Sequence, residues 1–141
     1  EIVVNETAND TDLSLLMPVS SGKISSGFGE RLDPFTSEPD FHKGLDIAAD
    51  LGTPIFASES GTVVTADFNQ YAGNYIIIEH SGNVKTRYLH CEKLLVNEGD
   101  TVNKGDKIAL VGSTGNSTGP HLHFEVHIDD TAVNPSTVID D

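Results

Sequence analysis

The strongest pattern in the chain is Gly119-Pro120-His121-Leu122-His123-Phe124-Glu125-Val126-His127-Ile128. From His121 onward polar and apolar residues alternate strictly. Successive side chains leave opposite faces of a strand, so this alternation predicts a half-buried β-strand. Leu122, Phe124, Val126 and Ile128 form the side that packs on a core, and His121, His123, Glu125 and His127 form the other. Elsewhere, glycines and turn residues separate short runs rich in β-branched and aromatic residues: Gly61-Thr62-Val63-Val64, Tyr75-Ile76-Ile77-Ile78, Val84-Lys85-Thr86-Arg87-Tyr88-Leu89 and Ile108-Ala109-Leu110-Val111. Short strands at this spacing predict an all-β chain, a compact antiparallel sandwich or barrel-like single domain. No stretch carries a helical period with caps. Ser81-Gly82-Asn83 reads as a hairpin turn. Gly99-Asp100-Thr101-Val102 recurs as Gly105-Asp106-Lys107-Ile108, which fits a tight β-corner with glycine at positive φ. Residues 1–14 are polar and read as a flexible lead-in; the first apolar cluster, Leu15 to Val19, opens a domain over 15–141.

Composition narrows the partners. The chain has 141 residues, with 8 Lys+Arg against 22 Asp+Glu and a net charge of −14. A nucleic-acid binder needs a basic footprint, so that class is excluded, and an anionic membrane surface repels such a chain. Cys91 is the only cysteine, so no internal disulfide forms. No apolar run approaches the ~20 residues of a membrane span. No signal peptide is visible and the chain opens on Glu1, so the expectation is a mature or trimmed product whose targeting segment has been removed.

The chemistry begins with two imidazoles, His121 and His123, on one strand face. Neutral imidazole is a common zinc ligand. His42-Lys43-Gly44-Leu45-Asp46 adds an imidazole and a carboxylate. Gly44 argues against a helix interior there. A turn running into a strand would point Leu45 and Ile47 to the core and Asp46 away from it. Taken alone, His42 is a surface residue and Asp46 a turn carboxylate. Together with one of His121 and His123 they make two nitrogens and one oxygen, the three protein ligands of a catalytic zinc site with one position left open. His90 closes the strand-like run from Lys85 to Leu89 and can stand beside a metal without binding it. His80 and His127 read as surface histidines. No His-Glu-x-x-His helix supplies a glutamate base, so the spare histidines are the natural acid/base groups.

These residues resemble the lysostaphin-type, or LytM-like, zinc endopeptidases that cut peptidoglycan cross-links. The resemblance rests on His42-Lys43-Gly44-Leu45-Asp46, Gly52-Thr53-Pro54-Ile55-Phe56-Ala57, Gly61-Thr62-Val63, Gly73-Asn74-Tyr75-Ile76-Ile77-Ile78, Thr86-Arg87-Tyr88-Leu89-His90, the paired Gly-Asp corners, and Gly112-Ser113-Thr114-Gly115 through Glu125. It spans Met17 to Pro135, in the family's order. It implies an antiparallel β-domain with one zinc in a groove on a sheet, held by His42, Asp46 and His123, with His90 and His121 catalytic. It also implies peptidoglycan stem or cross-bridge peptides as substrates, a monomer, and an extracellular, cell-wall-associated or periplasmic location. Cys91 stands where the family often has leucine; if Leu89-His90-Cys91 stays extended, it points away from His90 and is a small core residue.

Some relatives have lost metal ligands and act as binders, whereas all five key residues are present here. A zinc-retaining binding or scaffold module in a cell-wall or sporulation complex is the competing reading. A biotinyl or lipoyl carrier needs a lysine in a hairpin tip, usually beside methionine, and Met17 has none beside it. A sugar-phosphotransfer domain would not need Asp46. Phe28, Arg31, Phe35 and Tyr71 are expected to shape the choice between glycine bridges and direct links to a diamino acid.

Overall fold

The computed structural model describes residues 13–33 and 35–140. The described chain runs β1 (Leu15–Leu16), β2 (Lys23–Ser26), β3 (Gly29–Leu32), β4 (Pro39–His42), β5 (Leu45–Ala48), β6 (Pro54–Phe56) and β7 (Gly61–Asn69). It continues with β8 (Gly73–His80), β9 (Val84–Leu94), β10 (Thr101–Val102), β11 (Lys107–Val111), β12 (His121–Ile128), β13 (Thr131–Val133) and β14 (Ile139–Asp140). A single 3₁₀ turn, Pro135–Thr137, is the only helical element among the described residues; the Asn134 side chain caps it by accepting from the Ser136 N–H. The all-β expectation holds, and each of the four predicted runs lies within one strand.

The principal sheet is ordered β10-β7-β8-β9-β12-β5-β2; β11 bridges β9 and β6, and β13 flanks β12. Every pairing within it is antiparallel. A separate ribbon, β3–β4, stands off it. Leu122, Phe124 and Val126 of β12 are fully buried, together with Ile76 and Ile78 of β8, Tyr88 of β9 and Ile108 of β11. Leu45 and Ile47 of β5 join the same core. The predicted apolar side of the histidine strand is therefore the core side, with Ile128 only half-buried at its end.

Ser81-Gly82-Asn83 joins β8 to β9, as the turn chemistry predicts. The two Gly-Asp corners repeat one device: Gly99 and Gly105 have φ of 95° and 91°, and Asp100 and Asp106 each accept the backbone N–H three residues back at 2.8 Å.

Residues 1–12 of the expected lead-in lie outside the described residues. Leu13 already packs against the core, and the Ser14 carbonyl accepts from Lys104 Nζ at 3.1 Å.

His80 is not a surface histidine. It is buried, with Nδ1 2.8 Å from the Ser60 carbonyl and Nε2 2.9 Å from Thr86 Oγ1. Thr86 Oγ1 lies 2.7 Å from the Tyr88 hydroxyl, which accepts the Ser58 N–H at 3.1 Å. A carbonyl only accepts, so Nδ1 carries the proton and Nε2 of the neutral ring accepts from Thr86. Burial is the main cause of a pKa below the usual histidine value. The signal available in the sequence, a histidine before a turn, carries no information about this buried chain of hydrogen bonds.

Candidate functional site

The site is assembled by strand register. β12 lies between β9 and β5, so His123 is opposite Asp46 on one side and Leu89 on the other. His42 ends β4, and the two-residue link Lys43-Gly44 returns the chain into β5. Gly44 is required at that crossing: a Cβ there would stand 2.4 Å from the Phe124 carbonyl oxygen and 3.1 Å from His123 Cε1. The absence of a side chain lets His42 and Asp46 close over β12.

Three ligand-type atoms converge. His42 Nε2 is 3.3 Å from both His123 Nδ1 and Asp46 Oδ1, and His123 Nδ1 is 2.7 Å from Asp46 Oδ1. The three residues form the one group of this kind found among the described residues. A tetrahedral ion with bonds of ~2.0–2.1 Å needs ligand atoms ~3.3 Å apart, so two of the three separations already fit; the third is a hydrogen-bond length.

The surrounding contacts orient each ring. His42 Nδ1 donates to the Gly27 carbonyl at 2.7 Å, which fixes its proton there and leaves Nε2 free. His123 Nε2 donates to Glu125 Oε2 at 2.7 Å, leaving Nδ1 for a metal. Glu125 Oε1 in turn accepts from His127 Nε2 at 2.7 Å. Asp46 Oδ2 is held by Arg31 Nη1 at 3.2 Å, which turns Oδ1 toward the histidines. His127 is thus half-buried and tied to the site's carboxylate, rather than the surface histidine its position suggested. Glu125 and Arg31 are the supporting groups that sequence reasoning did not assign. Glu125 was visible on the histidine face by alternation, but its attachment to His123 depends on side-chain geometry.

Protonation follows from these contacts. Burial raises the Asp46 pKa, but the hydrogen bond with His123 and the adjacent His42 ring outweigh it and hold the carboxyl well below the usual range. Glu125 is likewise raised by burial and lowered more by His123 and His127, to about 2. His123 is lowered by burial and raised more by Asp46 and Glu125, to about 9. A dication in the same place would substitute for that proton.

His90 and His121 stand beside this group. Their ring centroids are 4.9 Å apart, and His90 is 6.2 Å from His123. His90 Nδ1 lies 2.7 Å from the Thr114 carbonyl and His121 Nδ1 2.8 Å from the Gly119 carbonyl, so each ring donates from Nδ1 and turns a free Nε2 inward. His121 Nε2 is 3.8 Å from Asp46 Oδ1. Burial lowers the His90 pKa to about 4, which keeps that imidazole neutral.

His90 does not sit in extended backbone. Its φ is 66°, and the β8–β9 register slips by one residue between the Asn74–Cys91 and Ile76–Tyr88 pairs. This β-bulge reverses the alternation. Tyr88 and Cys91 both face the core, while Leu89 and His90 both line the cavity. Cys91 is the buried core residue expected, with burial pushing its thiol up to about 12. The cause is the bulge and not an unbroken strand.

A cavity of about 680 Å³ covers the site. Arg31, Phe35 and Tyr71 line it, and Phe28 supports one wall through an edge-to-face contact with Phe41 at 5.1 Å.

The model of peptidase family M23 matches residues 40–135. The peptidoglycan DD-endopeptidase ShyB of Vibrio cholerae is 49% identical over 105 residues, covering 74% of this chain and 25% of that protein. The chain spans between about a quarter and a third of the length of the curated relatives it matches. Among solved structures, a zinc-containing peptidase from Vibrio cholerae is 42% identical with a TM-score of 0.81, covering 91% of this chain and 40% of that one. The catalytic domain of the antimicrobial peptidase lysostaphin from Staphylococcus simulans is 35% identical with a TM-score of 0.75, covering 82% of this chain and 90% of that one.

Proposed function

The chain belongs to peptidase family M23, and on that footing we propose that it is a zinc-dependent endopeptidase hydrolysing the peptide cross-links of bacterial peptidoglycan. The observation that carries this reading is the pairing of a three-atom ligand group with two adjacent histidines, each held at Nδ1 by a backbone carbonyl so that Nε2 is left free. We assign His42, Asp46 and His123 to one zinc ion and His90 and His121 to catalysis. Residues 15–141 form the catalytic domain in this reading.

Bound zinc would polarise a carbonyl oxygen and acidify a water. The chain's own residues supply the rest. Arg31 and Glu125 hold Asp46 and His123 in their ligating orientations. His90, kept neutral by burial and by the Thr114 carbonyl on its Nδ1, accepts a proton at Nε2. His121, fixed by the Gly119 carbonyl, stands beside His90 and, once protonated, donates from Nε2 to the oxygen on which negative charge develops.

The substrate and the working place, extracellular, cell-wall-associated or periplasmic, follow from the relatives' action on peptidoglycan. No helix among the described residues is long and apolar enough to cross a membrane. Digestion of defined cross-linked muropeptides with zinc-loaded protein, read by mass spectrometry, tests the proposal. Cleavage abolished by a chelator and restored by zinc is the expected result. Intact muropeptides that nonetheless bind the protein would favour the binding-module reading.

A further inference from the structure

Arg87 and Lys43, at the Glu125 end of the cavity, have no anionic partner among the described residues. Of the six other Lys and Arg residues, Arg31 holds Asp46, Lys85 reaches Asp130 and Lys104 reaches Glu59, while Lys23, Lys93 and Lys107 lie away from this cavity. Arg87 is different. Its side chain makes no hydrogen bond or ion pair among the described residues, its Nε is buried without an acceptor, and it lines the cavity. Its register partner on β12 is Glu125, the natural acceptor, but both Glu125 oxygens are already taken by His123 and His127. Lys43 lines the same cavity without an ion pair among the described residues. It precedes Gly44, whose Cβ position lies 2.9 Å from Glu125 Cγ, so Lys43 stands at the same end.

In a chain of net charge −14, two uncommitted cations within one cavity are an unusual placement. A buried donor left without an acceptor is unfavourable, so its persistence points to a ligand that completes it. The guanidinium fork matches a carboxylate. We infer that Arg87, assisted by Lys43, is a specificity residue that binds a free carboxylate of the cross-linked peptide. The inference rests on the peptidase reading above and deepens it. Arg87 lies two register pairs beyond Leu89–His123, which is ~7 Å along β12 from the ligand group at ~3.4 Å per residue. That span is one to two residues of extended peptide. A direct link to a diamino acid that keeps a free carboxylate beside its linking amine meets this requirement. So does the terminal carboxylate of a stem peptide. An internal glycine bridge offers only amides there.

The test uses zinc-loaded full chain and three synthetic cross-linked peptides: one with both carboxylates free, one amidated at the diamino acid, and one amidated at the chain terminus. For the wild type, amidating the carboxylate that Arg87 binds should lower kcat/KM by ~10- to 100-fold, the scale of a charge-assisted contact, and amidating the other should not. In Arg87→Gln the ratio between free and amidated peptide should collapse to about one, in Arg87→Lys it should be partly restored, and Lys43→Gln should reduce it less than Arg87→Gln does. Wild type indifferent to both amidations, or Arg87→Gln with the full discrimination, would overturn the assignment. If the wild type cleaves none of the peptides, hydrolysis is wrong, and binding decides the Arg87 question separately: Kd values for the three peptides on wild type and Arg87→Gln must show the same loss of discrimination, and equal Kd values on the wild type would refute it.

Discussion

Asp46 and His123 are register partners on neighbouring antiparallel strands, and their side chains meet at 2.7 Å between Oδ1 and Nδ1. Each is also held from behind, Asp46 by Arg31 and His123 by Glu125.

The first prediction concerns the ion. Asp46→Ala and His123→Ala should each lose zinc, because two ligands rarely retain what three hold. Glu125→Gln keeps a hydrogen-bond acceptor but weakens the support for His123, so zinc affinity should fall ~10- to 100-fold. Metal analysis after dialysis against graded chelator measures both effects. Full occupancy in Asp46→Ala and His123→Ala would refute the ligand assignment.

Histidine does two jobs in this reading. His90→Ala and His121→Ala should keep zinc and fold, yet cleave at least ~100-fold more slowly. His90 adds a backbone term, since its left-handed φ of 66° is costly for most residues. His90→Asn, which tolerates that conformation, should therefore melt higher than His90→Ala while remaining as inactive. Zinc loss in the His90 or His121 variants with retention in His123→Ala would reverse ligand and catalyst.

Away from the metal, the His80–Thr86–Tyr88–Ser58 chain makes a stability prediction. Tyr88→Phe removes the acceptor of the buried Ser58 N–H and the donor to Thr86, and should cost ~1–3 kcal/mol. Burial holds the folded His80 pKa below the ordinary histidine value, so the unfolded chain takes up a proton first as pH falls. Stability is therefore fully present above about pH 6.5 and lost as pH drops from there through the folded pKa. Denaturant melts across that window should show the decline in wild type and less of it in His80→Gln. Identical profiles would mean that His80 does not contribute.

Gly115 sits beside the residue that holds His90. Its φ is 77°, and a Cβ would stand 2.2 Å from Gly73 N. Its neighbour Thr114 supplies the carbonyl that His90 donates to. Gly115→Ala should lose more than ~1 kcal/mol from the left-handed backbone alone, and should lower turnover with zinc retained. Melting temperature, metal content and cleavage rate measured together distinguish this from general unfolding. An undiminished rate would show that Thr114 does not position His90.

Removing residues 1–12 should leave melting temperature and cleavage nearly unchanged. The described core contacts begin at Leu13, and Leu15 is fully buried. A fall in either measurement would mean that these residues pack on the domain.

The sequence alone determined the period-two strand from His121 to Ile128, its core face, the Gly-Asp corners and the all-β class. Each follows from local rules: side-chain alternation, β-branched runs and glycine at positive φ. It also supplied the candidate residues His42, Asp46, His90, His121 and His123. Tertiary structure decided which of them meet. Register across β5, β12 and β9 brings Asp46 to His123 over 77 residues of chain, a pairing no local pattern encodes. The bulge at His90 was equally invisible. Plain alternation from Tyr88 sends His90 to the core and Cys91 to the cavity, and only one slipped residue, held by neighbouring strands, exchanges them. The burial of His80 and the attachment of His127 to Glu125 were decided the same way, because burial belongs to a residue's three-dimensional neighbours and not to its place beside a turn.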